Sequence, residues 1–247
     1  MILRRIAAAF RRQDWFTVFV ETLIVVFGVF IGLQVNNWNE ARQDAARHRI
    51  YVERLQVDFE AIRARLNEHV KVFTAAVEGG DYLKSVLSAS DAQAADPGID
   101  KDRMEKAFDA LVSNRIPPPP PATYSEMVSE GQLSGMHDPV LRDRLADYDR
   151  LLGVVLEVSR NNTDSNYHLL PVLFRHFDTT TVVDESALSG IREEIGRYDL
   201  AGMRNDREFA VAVELARRNA LNSLQQRRIQ LRQIDEILAL LRAKPAR

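Results

Sequence analysis

Cysteine is absent from this chain. Disulfides, thiolate chemistry and cysteine-based zinc sites are excluded together, so packing must hold the fold, and redox usage cannot mark the compartment. Basic charge is also in short supply, because acids outnumber bases from Asn36 onward. Duplex binding needs a dense basic face, so nucleic acid is not an expected partner. The sequence contains no P-loop, no GxGxxG turn and no GxSxG elbow. His48, His69, His137, His168 and His176 show no i, i+4 pairing around a glutamate base, which leaves a metalloprotease site unsupported. No catalytic, cofactor-binding or metal-ligating residue is assigned, and a non-catalytic protein is expected. Strand-like alternation is scarce, with residues 179–183 as the one candidate, so the expected class is all-α.

What is present is one long apolar run. Residues 15–35, WFTVFVETLIVVFGVFIGLQV, carry a single ionisable side chain, Glu21. At a rise of about 1.5 Å per residue the run spans about 31 Å, enough to cross the hydrocarbon of a bilayer. Its 14 Val, Leu, Ile and Phe residues outweigh one off-centre carboxyl, since each contributes roughly −0.3 to −0.6 kcal/mol against a penalty below about 3 kcal/mol. Trp15 and Trp38 lie about 35 Å apart along a helix, one near each headgroup layer. A cleaved signal peptide is the competing reading. The run is longer than an ordinary signal core, and no small-x-small cleavage site follows it, so retention is expected. A buried core helix fits poorly, because every face is apolar.

The flanks orient the segment. Arg4, Arg5, Arg11 and Arg12 precede it, while Arg42, Arg47 and Arg49 follow further out, interleaved with acids. The bias puts residues 1–14 in the cytoplasm as a basic tail and residues 36–247 outside the inner membrane as an extracytoplasmic domain. Within the span, Gly28 and Gly32 form a small-xxx-small step, with Glu21 two turns earlier on the same face and Thr17 beside it. That stripe suits a helix–helix contact with a second copy or with a partner's membrane helix, in which Glu21 is protonated or hydrogen-bonded. The plainer alternative is a chance glycine pair with Glu21 reaching the headgroups.

Residues 21–40, ETLIVVFGVFIGLQVNNWNE, resemble an uncharacterised family of bacterial single-pass membrane proteins. Its members share a glutamate, an apolar run with glycine, a Leu-Gln-Ile-Asn-Asn-Trp-Asn-Glu close and a long helical domain. Further landmarks fall at residues 123–133 and 205–209. The chain departs from the pattern at Gly32, where Ala is usual, and at Glu130, where Ser is common. The resemblance implies a membrane topology and high helical content, and it implies no activity.

Beyond Trp38 the pattern stays helical to Gly79-Gly80. Tyr51, Leu55, Phe59, Ile62, Leu66, Val70, Phe73 and Val77 repeat every eleven residues, about 3.67 per turn, which makes a nearly straight stripe. A stalk helix is expected, kinked at the two glycines, followed by a loop over residues 88–100 and a short helix capped by Asp100. Pro117 to Pro121 force polyproline II, about 15 Å of spacer. Thr123 with Glu126, and Asn205 with Glu208, read as capping boxes, and Asp138-Pro139 as a cap with proline at the first helical position. Leu141, Leu145, Tyr148, Leu152 and Val155 line one face, and Leu169, Leu173 and Phe177 resume it. Between them residues 159–166, SRNNTDSN, put Ser159, Asn162 and Asn166 in core phase. They form a polar layer if the helix is unbroken; the functional reading is a ligand cavity, and the plainer one a loop, a helix end or polar residues that fix register. Ser186 is expected to start a short helix. Phe209, Val213, Ala216, Ala220, Leu224, Leu231, Ile234, Leu238 and Leu241 mark a last helix able to pair antiparallel with the stalk.

The expected architecture is therefore one N-terminal transmembrane helix running into a long stalk helix within an antiparallel three- to four-helix bundle. The expected role is a membrane-anchored interaction or scaffold protein, with the lipid bilayer and either a second copy or a membrane protein as partners. The alternative is an extracytoplasmic module that senses a small molecule and signals through a membrane partner. No cofactor is expected.

Overall fold

A computed structural model describes residues 15–89, 101–136, 138–183 and 191–243. The described residues contain six α-helices, one short 3-10 helix and one antiparallel pair of strands. Helix α1 runs Trp15–Ser88 and contains the junction between two compact units, Met1–Glu53 and Arg54–Arg247. In the first unit the side chains from Phe19 to Trp38 are exposed along the whole turn of the helix, as an apolar segment without an aqueous core must leave them. Its polar end is locally braced: Asn36 donates to Glu40 at 2.7 Å, and the Arg42 guanidinium lies 5.9 Å from the Trp38 ring centre.

The second unit is a helical bundle. Helix α2 (Lys101–Val112), helix α3 (Ala122–Ser129) and a single 3-10 turn (Gln132–Gly135) lead into α4 (Pro139–Leu173). Strands β1 (Phe177–Val183) and β2 (Ile191–Tyr198) pair antiparallel with a bulge between Asp178 and Thr179, and α5 (Leu200–Asn205) and α6 (Arg207–Ala243) close the chain. Helix α6 is antiparallel to α1. Their ion pairs run in opposite order along the two helices, Glu60 to Arg242 at 3.0 Å, Arg63 to Asp235 at 2.8 Å and Lys84 to Glu214 at 2.5 Å. Helix α4 is antiparallel to α6 as well, with Arg144 against Glu236 at 3.3 Å at one end and Asn166 against Asn219 at the other. Each exposed pair contributes only about 0–1 kcal/mol, so together they set register more than stability.

Stability comes from the apolar faces. Leu55, Phe59, Leu66 and Phe73 of the eleven-residue repeat are buried, and Phe59 meets the Tyr148 ring edge-on at 5.4 Å. A larger cluster gathers Phe108 of α2, Phe177 of β1 and Phe209 of α6, with the Phe108 and Phe177 ring centres 4.1 Å apart. Each fully buried aromatic or aliphatic side chain stabilises the fold by about 1.5–3 kcal/mol.

Several local expectations change. Gly79 and Gly80 lie inside unbroken helix, where they permit close approach: a Cβ on Gly79 would sit 2.5 Å from the Ala107 carbonyl oxygen of α2. The proline run is not a free spacer, because Pro117, Pro118 and Pro121 are buried against the bundle. Thr123 and Glu126 form no capping box. The Thr123 N–H donates instead to Asp58 of α1 at 2.9 Å, and Glu126 is taken by the Arg54 guanidinium at 2.5 and 3.0 Å. The cap of α6 is Asp206, one residue after Asn205, accepting from the N–H groups of Glu208 and Phe209. Asp138 does cap α4, receiving the Val140 and Leu141 N–H groups, with Pro139 at the first position. Phe177 leaves the helix to begin β1, and where a helix from Ser186 was expected, β2 occupies Ile191–Tyr198. Ser186, Asp100 and His137 lie outside the described residues.

Candidate functional site

Arg11 and Arg12 lie outside the described residues, and Trp15 and Thr17 fall in the first turns of α1. Further along the apolar helix, Glu21 is exposed, and a Cβ built on Gly28 or Gly32 would meet nothing within 4 Å. The glycine face is therefore open along its length. Trp38 is 67% exposed at the far end.

The three polar positions in core phase on α4 sit in uninterrupted helix, which removes the loop reading. Ser159 is buried, and its carbonyl accepts from the Thr163 hydroxyl at 2.8 Å. Asn162 donates to Ser223 of α6 at 3.2 Å, and Asn219 of α6 donates to Asn166 at 2.9 Å and Ser165 at 3.1 Å. Asn114, just past α2, donates to Thr163 at 2.7 Å. The polar side chains thus pair across the α4–α6 seam, Asn162 with Ser223 and Asn166 with Asn219. Such a ladder penalises any slip of one helix against the other, because a shifted register leaves amides unpaired in the interface.

A second polar group lies deeper, and of its members only Tyr148, on the α4 face, was expected in the core. Arg227 of α6 is fully buried, at 0% exposure, as is Gln230 one turn later. His69 of α1 is buried beside the stripe position assigned to Val70, which is only half covered. Tyr148 of α4 packs its ring on Phe59 and buries its hydroxyl. Arg227 donates to the Arg115 carbonyl at 3.2 Å and to Gln230 Oε1 at 3.3 Å, and its guanidinium faces the Phe73 ring at 5.7 Å. All three partners are neutral. No carboxylate among the described residues pairs with it. Burial draws the Arg227 pKa down to about 10, so the side chain remains a cation at neutral pH. Burial, with the Arg227, Arg115 and Arg65 charges adding to it, pushes His69 down to about 4 and keeps it neutral. Burial raises Tyr148 to about 12, partly opposed by Arg227. The one signal in the sequence was the seven-residue gap between Leu224 and Leu231, where the 3-and-4 spacing calls for an apolar residue at 227 and finds arginine.

A third cluster stands at the hairpin end. Asp206 accepts from Arg175 and faces His176 Nε2, both at 2.8 Å, and Arg175 also holds Glu208 at 3.0 Å. The His176 hydrogen bond, then the Phe209 N–H and Arg175, hold the Asp206 carboxyl at about 2. These residues border an open polar cleft of about 410 Å³ lined by Arg175 to Asp178 and Arg197 to Asp199. Arg197 pairs with Asp178 at 3.2 Å, and Asp199 caps α5 through the Gly202 N–H at 2.9 Å. The charges in this cleft neutralise one another, and Asp199 and the bordering Asp206 serve as helix caps, so the arrangement braces a corner. Among the described residues, no three His, Asp or Glu side chains converge as metal ligands.

Fold and site together define an all-α bundle protein with an apolar N-terminal helix long enough to cross a bilayer. Comparison with protein-family models, with curated proteins and with solved structures finds no match.

Proposed function

We propose that this chain is a single-pass protein of the bacterial inner membrane, its N-terminus cytoplasmic and its helical domain extracytoplasmic, acting as a non-catalytic interaction or scaffold module. The observation that carries the reading is the segment from Phe19 to Val35, apolar on every face and exposed throughout. An apolar surface of that length has a favourable solvent in lipid and none in water. The resemblance of residues 21–40 to single-pass membrane proteins supports the same topology, as does the arginine bias of residues 1–14. Partners of the anchor are the bilayer and a second membrane helix, either another copy or a different protein, seated on the open glycine face. Washing membranes with alkaline carbonate is expected to leave the full-length chain in the pellet, and a periplasm-specific reporter fused after Arg247 is expected to be active. Release into the supernatant would remove the anchored reading, and an inactive periplasmic fusion with an active cytoplasmic one would reverse the topology.

A second reading, the sensory module, is favoured by one observation: the bundle core is not wholly apolar, because Arg227, Gln230, His69 and Tyr148 bring polar atoms without partners into it.

A further inference from the structure

Four buried polar side chains in the bundle core share a chemical bias. Arg227 Nε, Gln230 Nε2, the Tyr148 hydroxyl and His69 Nδ1 are shielded from solvent and have no hydrogen-bonding partner. The guanidinium N–H and the amide NH2 can only donate, the phenol donates readily, and a neutral imidazole donates from Nδ1 in one of its tautomers. The group is donor-rich and carries one full positive charge. Leaving a buried donor unpaired costs about 1–3 kcal/mol, and burying an ion without a counter-charge costs several more. Phe73 and two neutral oxygens offset part of that cost for Arg227 but supply no charge. Bridging water would satisfy the donors and leave the cation uncompensated. An oxyanion does both, since guanidinium and carboxylate or phosphate groups match in geometry as well as charge.

We propose that Arg227, Gln230, Tyr148 and His69 form an interior receptor for one small oxyanion, a carboxylate or a phosphate, held between α1, α4 and α6. The charge is met by Arg227, with Gln230 of α6, Tyr148 of α4 and His69 of α1 as further donors. Because His69 belongs to the same helix that carries the apolar segment, and Arg227 and Tyr148 to the two helices packed on it, the bound anion ties three helices at one level. The inference deepens the sensory reading and rests on it. It is independent of the anchor, which carbonate extraction tests separately.

The experiment uses the full chain purified in detergent micelles, with acetate, inorganic phosphate or nitrate replacing chloride at constant ionic strength. Thermal unfolding is read for the wild type and for Arg227→Met, and any anion that acts is then titrated calorimetrically. At about ten times its Kd, a specific anion is expected to raise the wild-type Tm by about 3–6 °C, saturably, and to leave Arg227→Met unmoved. Acetate alone would identify a carboxylate ligand, phosphate alone a phosphate, and more than one anion the shared oxyanion chemistry. Tyr148→Phe, which keeps the ring and removes one donor, is expected to fold and to weaken the affinity about tenfold. It serves as the comparison should Arg227→Met fail to fold. Equal Tm shifts in wild type and variants, or no shift with any of the three anions, would overturn the proposal.

Discussion

Arg227 and His69 make the core of this bundle sensitive to acid in a way an apolar core would not be. His69 is held near 4 against an ordinary value of 6.5, so between those values the unfolded chain binds a proton that the folded chain refuses. Stability tied to neutral His69 is fully present above about pH 6.5, declines as the pH falls through that window, and is lost below about pH 4. The charged groups acting on His69, Arg227, Arg115 and Arg65, are all cations, so none of them rescues the imidazolium. Urea midpoints measured at pH 7 and pH 4.5 are expected to fall further for the wild type than for His69→Leu. Equal falls in the two proteins would show that His69 is not protected from protonation. Asp206 titrates in a separate, lower window. Its carboxyl is held at about 2 against 3.8, and its contribution, present above 3.8, is lost only as the pH drops toward 2.

Helix α1 is unbroken at Gly79-Gly80, where the sequence suggested a kink, and the reason lies in its neighbours. Glycine weakens a helix by about 1 kcal/mol relative to alanine, which makes a Gly-Gly pair read as a breaker. Here the Cβ-less positions are used for contact: Gly79 lies against the α2 backbone at Ala107, and Gly80 against the stem of Arg217 on α6. Gly79→Ala is therefore expected to destabilise by about 1–2 kcal/mol, overpacking outweighing the gain in propensity. Gly153 is the contrast. It is exposed on α4, a Cβ there meets nothing within 4 Å, and Gly153→Ala is expected to stabilise by about 0.5–1 kcal/mol. Chemical denaturation of the two variants checks both signs, and a stabilised Gly79→Ala would mean that α2 does not sit tightly on α1. The capping residues tell a related story. Asp138 was legible because a cap and its helix are neighbours in sequence, whereas Asp58 serves α3 from 65 residues away.

The chain carries two kinds of surface. Salt bridges and polar side chains cover the bundle, while the segment from Phe19 to Val35 has no polar cover. If that segment lies in lipid, the glycine face is the place where a second helix approaches most closely, because Gly28 and Gly32 leave a groove free of side chains. Association of the isolated segment in a membrane two-hybrid assay is expected to fall several-fold in Gly28→Ile and to weaken in Glu21→Ala. Unchanged association in both variants would leave the apolar helix as an anchor alone.

Periodicity alone determined the helical class, the apolar helix and most of the bundle's buried stripe, because helix formation and burial of an apolar face follow from residues within a few turns of one another. The strand at Phe177–Val183 was partly visible in its run of β-branched residues. Tertiary structure decided the rest. Whether Ser159, Asn162 and Asn166 were a loop or a ladder depended on Ser223 and Asn219, and whether Thr123 had a cap depended on Asp58. The surroundings of the buried cation depended on distant segments too, since Phe73 of α1 and the Arg115 carbonyl meet Arg227 of α6. A polar residue in an apolar stripe is an exception that sequence can flag, but its meaning is set by which groups the fold brings within hydrogen-bonding reach.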